Sequence, residues 1–98
     1  MRVAEFEVQS APGRVVVAGE IDLRTCPELR DALTAASAED GSEVVIDLTQ
    51  VTFIDSSGIS ELLRASNAGH HLTLQHPSQS VRRLFELAGL DQIADVEP

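Results

Sequence analysis

Residues 44 to 48, VVIDL, read as a short buried-type strand that can run on, past the TQ step, into VTFI, and the strand stops at Asp55. Helical spacing takes over at once, with Ile59, Leu62, Leu63 and Ser66 falling on one face. A run this apolar suits a strand covered on its faces rather than one lying open to water. Emptied directly into a helix through Asp55, Ser56, Ser57 and Gly58, it predicts a strand-to-helix unit of an α/β sheet.

The rest of the chain repeats that unit. AEFEV alternates Ala4, Phe6 and Val8 against Glu5 and Glu7, as an outer strand with one wet face does. The APG turn at 11 to 13 leads into RVVVAG, a more buried strand and the hairpin partner of the first, and GEID follows as a loop. Thr25 with Glu28 three residues on reads as a capping box, and Pro27 lies in the first turn. Leu29, Ala32, Leu33 and Ala36 then form one apolar helical stripe that fades into SAEDGS. Asn67 to Gly69 stop the next helix, and HLTLQ is a further strand. After Pro77, Val81, Leu84, Phe85 and Ala88 share a face of a third helix that ends at Gly89. The tail, residues 91–98, carries no clear signal.

The expectation is a single α/β domain over residues 1–98, with a mixed, mostly parallel sheet of four to five strands and helices packed on it. Right-handed crossovers make the second, third and fourth strands parallel, and the opening hairpin adds an antiparallel one. Loops that follow parallel strands share one sheet edge. GEID and IDSSG should therefore be neighbours although more than thirty residues separate Asp22 from Asp55.

Composition narrows the chemistry. Sixteen acidic residues face seven basic ones, all arginine, for a net charge of −9. Such a surface repels phosphate backbones and anionic lipid, so neither nucleic acid nor membrane is an expected partner; a protein carrying basic groups is. No apolar run approaches a membrane span and the N-terminus lacks a secretory pattern, so the expected location is the cytoplasm. Cys26 stands alone, too few thiols for a disulfide or a zinc site, and is expected to be a small buried or half-buried side chain. No cofactor or metal is expected.

Three catalytic readings fail. Asp55 ends a strand as a phospho-acceptor aspartate does, with Asp22 as a possible metal-holding acid, but the chain has no lysine to pair with the phosphate. Ser56 or Ser57 could be a nucleophile, yet no glycine precedes them to form the strained Gly-x-Ser-x-Gly elbow. His70 and His71 stand at the far end of the following helix, roughly 18 Å away at 1.5 Å per residue. A phosphate-binding GxxxxGK[ST] is absent. Taken alone, the two serines read as helix caps, Asp22 as a turn residue, and Asp55 as a cap or loop-shaping residue.

GEIDLRTCPELRDAL, VVIDLTQVTFIDSSGISELL and PSQSVRRLFELAGLDQIADV, in that order, resemble the STAS domain, specifically bacterial anti-sigma factor antagonists. The resemblance spans nearly the whole chain. It implies partner switching: the unmodified antagonist binds an ATP-dependent anti-sigma factor that is also a serine kinase and thereby frees a sigma factor. It implies phosphorylation on the second serine of DSSG, Ser57, and reversal by a phosphoserine phosphatase. By position it assigns partner binding to Asp22, Asp55, Ser56, Ser57 and Gly58, with a monomer as the expected state and no enzyme activity. The alternative is a non-switching STAS subunit of a larger signalling assembly. At a helix start, free N–H groups and the helix dipole would favour an anion on Ser57 by roughly 0.3–1 kcal/mol.

Overall fold

The computed structural model describes residues 6–37 and 41–98. Ala4 and Glu5 of the expected first strand, and residues 38–40 of the expected SAEDGS turn, lie outside them. The elements are β1 (Glu7–Ala11), β2 (Arg14–Ile21), α1 (Cys26–Ala36), β3 (Glu43–Ile54), α2 (Ser56–Asn67), β4 (His71–Gln75), α3 (Gln79–Leu87), a 3₁₀ turn (Leu90–Gln92) and β5 (Asp95–Glu97). The strands lie in chain order, β1 antiparallel to β2 and every later neighbour parallel. Three right-handed crossovers that each step one strand in the same direction put all three helices on one face of the sheet.

Period-2 alternation fills that face. Val15, Val17 and Ile21 of β2, Val44, Ile46 and Leu48 of β3, and Leu72 and Leu74 of β4 are buried under the helices, whose own buried stripe includes Leu29, Leu33, Leu62, Val81 and Phe85. Between them Val16, Val45, Asp47, Thr73 and Gln75 stand half-buried on the opposite face. Cys26 is buried at the start of α1, as its sequence context implies.

β3 breaks the alternation in a way that shapes its end. Against β2 it carries two extra residues, one between Val16/Ala18 and one between Gly19/Glu20. Inward positions therefore step from Leu48 to Val51 to Ile54. Each bulge resets the face of the strand by one residue. Ile54 is thereby aimed inward, and Phe53 is left 48% exposed.

Three expectations change. Gly19 to Ile21 belong to β2, so only the turn after Ile21 is a loop. The tail pairs with β4 through Thr73↔Asp95, Leu74↔Val96 and Gln75↔Glu97, a fifth strand of three residues. In α3 the i, i+4 pair Val81 and Phe85 faces the sheet, which turns Leu84 and Ala88 off the core: Leu84 is 36% exposed and Ala88 is exposed.

Phe85 is thus the larger of the two side chains, with Val81, that anchor α3. Phe85→Ala should cost about 3–5 kcal/mol, a large part of the stability of so small a domain. Leu87→Ala, at a side chain 74% exposed, should change it by less than about 0.5 kcal/mol. Thermal melts followed by circular dichroism measure both, since the chain has no Trp or Tyr.

Candidate functional site

β2 and β3 end side by side. Ile21 pairs with Ile54, and the Asp55 N–H donates to the Ile21 carbonyl at 3.1 Å. The turn after Ile21 and the serines after Asp55 consequently lie at one edge of the sheet, as parallel topology requires.

Each turn is organised by an aspartate. Asp22 Oδ1 accepts from the N–H groups of Arg24 (3.0 Å) and Thr25 (3.2 Å), and Thr25 Oγ1 accepts in return from the Asp22 N–H (2.9 Å). The Asp22 carbonyl receives the Cys26 N–H at 2.9 Å. This reciprocal pairing is a capping box displaced three residues upstream, Asp22 with Thr25 rather than Thr25 with Glu28. Thr25 makes no side-chain cap to α1; buried, its hydroxyl donates to the Glu20 carbonyl at 3.0 Å. Asp22 is therefore structural, with its side chain half-buried. Partial desolvation pushes its carboxyl up, but the Thr25 and Arg24 N–H groups and the Arg24 guanidinium outweigh that and hold it below the ordinary carboxylate value.

Asp55 does the same for α2. Its Oδ1 accepts from the N–H groups of Ser57 (2.9 Å) and Gly58 (3.3 Å). Two of the donors expected to welcome an anion on Ser57 are thus already held by a carboxylate, so the dipole's benefit to a phosphate is offset by that neighbour. The serine hydroxyls are left over. Among the described residues neither Ser56 nor Ser57 Oγ hydrogen-bonds to another group, and no base is poised on either.

The two serines face different neighbours. Ser56 lines a cleft between α2 and α3 together with Phe53, Ile59, Leu84 and Leu87. Ser57 shares its face of α2 with Ser60 and Glu61 at i+3 and i+4. Glu61 is bound by Arg30 of α1 in a two-bond fork, at 3.1 and 2.8 Å. Ser57 thus shares the side of α2 on which Glu61 meets α1, half-buried, whereas Ser56 is exposed. The Arg30 hydrogen bond, followed by the charges of Arg30 and Arg64, holds the Glu61 carboxyl below its ordinary value against desolvation.

Gly58 completes the seating of the helix. A Cβ there would lie 2.5 Å from Ile21 Cγ2 and 2.7 Å from Ile54 Cγ1. Only a missing side chain lets the first turn of α2 descend onto the ends of β2 and β3. All five residues assigned by the sequence, Asp22, Asp55, Ser56, Ser57 and Gly58, meet at this edge. Sequence reading missed Arg30 with Glu61 and the exposed Phe53. The ion pair joins residues 31 apart with no local signal, and Phe53 is turned outward by a bulge that periodicity cannot foresee.

Gly58→Ala gains about 0.5–1 kcal/mol of helix propensity, but the clash with two stiff β-branched side chains costs about 1–3 kcal/mol, so a lower melting temperature is expected. For Glu61 the folded value is depressed, so its stabilisation is complete above the ordinary value of 4.5 and fades as pH falls through the depressed one. The gap in melting temperature between wild type and Glu61→Gln should hold at pH 7 and close in acid below pH 4.5. A gap that widens in acid would contradict the pairing.

Residues 4–96 match the family model described as Mlab, STAS domain. The chain is 34% identical over 87 residues to the anti-sigma-B factor antagonist of Listeria monocytogenes, covering 85% of this chain and 76% of that protein. An anti-sigma factor antagonist from Mycobacterium paratuberculosis is 32% identical with a TM-score of 0.70, over 96% of this chain and 85% of that one. The fold is also that of the Bacillus cell fate determinant SpoIIAA in its phosphorylated form, at 20% identity and TM-score 0.64 over 94% and 90% of the two chains.

Proposed function

The chain belongs to the STAS domain family, and we propose that it is an anti-sigma factor antagonist that works by partner switching with Ser57 as the switch. Unmodified, it binds an anti-sigma factor that is also an ATP-dependent serine kinase, and so releases a sigma factor. Phosphorylation of Ser57 by that kinase ends the binding, and a phosphoserine phosphatase restores it. The place of action is the cytoplasm, where sigma factors work.

The observation that carries this reading is an unpartnered, half-buried hydroxyl at the first turn of α2, placed between two aspartate-organised turns. Aspartates that spend their oxygens on backbone N–H groups fix the loops and leave the serine free to be covered by a partner. A phosphate there adds about −1.5 to −2 charges next to Asp55 and on the side of Asp22. An interface closed over it would bury a poorly paired anion, and a loss of ~3–4 kcal/mol weakens binding roughly a hundred- to a thousandfold. The fold has no reason to move. The difference between the two serines supports the reading: Ser57 is half-buried on the side of Glu61, and Ser56 lines the cleft between α2 and α3.

Incubation with the anti-sigma factor kinase and ATP, read by intact mass and peptide mass spectrometry, tests the assignment. Ser57→Ala should abolish phosphate incorporation and Ser56→Ala should retain it. Phosphate on Ser56, or on both equally, would overturn the choice of residue. Tight binding with no incorporation would favour the non-switching STAS subunit.

Asp22→Ala should lower the melting temperature by a few degrees, because it removes the carboxylate that holds the turn leading into α1, and should also slow phosphorylation of Ser57. Asp22→Asn keeps a capping oxygen, so it should recover most of the melting temperature while phosphorylation stays slow. If Asn restores both, Asp22 serves the fold alone.

A further inference from the structure

Beside the switch lies an apolar surface that the core does not use. Phe53, Ile59, Leu84, Leu87 and Ala88 line a cleft between α2 and α3 whose end is formed by Asp55 and Ser56. Phe53, Leu84 and Leu87 are 48%, 36% and 74% exposed. Isolated exposed apolar residues need no explanation, but several lining one concavity, with the polar lining confined to one end, mark a contact surface. Its existence has a structural cause: α2 is drawn toward α1 by the Arg30–Glu61 fork, α3 is seated by Val81 and Phe85 alone, and the bulge in β3 turns Phe53 into the gap.

Resting on the partner-switching reading above, we propose that this cleft receives an apolar side chain or helix edge of the same anti-sigma factor whose kinase centre meets Ser57. Continuity is the first reason. Asp55 lines the cleft and also accepts the Ser57 N–H, so a partner covering Ser57 already stands at the mouth of the cleft. Size is the second. A stable complex takes about 800 Å² and some 20–30 residues from each partner, and the two turns around Asp22 and Ser57 supply far fewer. Charge is the third: a second copy would set another chain of net charge −9 against this one, whereas a partner with basic groups around an apolar anchor complements Asp55 and the acidic chain. Phe53 and the two leucines are anchors of the kind that carry binding energy at the centre of an interface.

The probe is the purified anti-sigma factor kinase that phosphorylates Ser57 in the mass assay, titrated calorimetrically into wild type, Leu87→Ser, the double variant Leu84→Ser/Leu87→Ser, and Ser57→Asp. The double variant should bind at least about tenfold more weakly and raise KM for Ser57 phosphorylation with kcat unchanged, and Leu87→Ser alone about threefold. Circular dichroism melts confirm the fold of each, and Leu87→Ser is exposed enough to keep the test valid if the double variant unfolds. Wild-type affinity in Leu87→Ser and in a folded double variant, with weakened binding in Ser57→Asp, overturns the cleft and leaves partner switching standing. Failure of wild type itself to bind or be phosphorylated overturns both. A wild-type dimer in sedimentation equilibrium that Leu87→Ser dissolves would assign the cleft to a second copy and overturn the proposal.

Discussion

Everything at the functional edge hangs on the meeting of three residues, Ile21, Ile54 and Gly58. Ile21 and Ile54 end neighbouring parallel strands in register, and Gly58 lies so close above them that a single added carbon would overlap both. That contact sets the height and direction of α2, and with them the position of Ser57. It also fixes the Asp55 N–H on the Ile21 carbonyl, which joins the two turns through the backbone rather than through mobile side chains. A site assembled this way is rigid before any partner arrives, and preorganised surfaces spend less on ordering when they bind.

The division of labour among polar groups follows from the same geometry. Both turns at this edge are held by carboxylates, the turn leading into α1 by Asp22 and the first turn of α2 by Asp55. Capping by aspartate leaves the serine hydroxyls without a structural task, although serine is itself a good cap. A hydroxyl freed from capping can be modified without undoing a helix. Under the proposed switch the cost falls on the modification: a phosphate on Ser57 would find the N–H groups of Ser57 and Gly58 taken and a carboxylate beside it. Repulsion at a preformed surface, rather than a change of shape, would then be sufficient to separate partners.

Much of this was legible in the sequence because each element agrees with its own period. HLTLQ forms a strand with the bounds its alternation implies, and the stripe from Leu29 to Ala36 is the buried face of α1. The parallel order that brings Asp22 and Asp55 together follows from the strand–helix–strand connection between β2 and β3. What escaped depends on non-local packing. The capping box begins at Asp22 because the buried Thr25 hydroxyl turns inward to Glu20 and Asp22, a choice that Thr-x-x-Glu conceals. Leu84 and Ala88 share a helical face with Val81 and Phe85 on paper, yet the sheet accepts only the i, i+4 pair. DVE is too short to show alternation and becomes a strand only because β4 offers it an edge.

The central claim is that Ser57 acts locally on a fold that does not change. A ¹H–¹⁵N correlation spectrum of the phosphorylated protein, compared with the unmodified one at the same pH, addresses it without any partner. Shifts confined to residues 19–25 and 53–61, with β4, α3 and β5 unmoved, are the predicted result. Shifts spreading through β4 and α3, or the loss of dispersed resonances there, would show that phosphorylation reorganises the domain and would contradict the account.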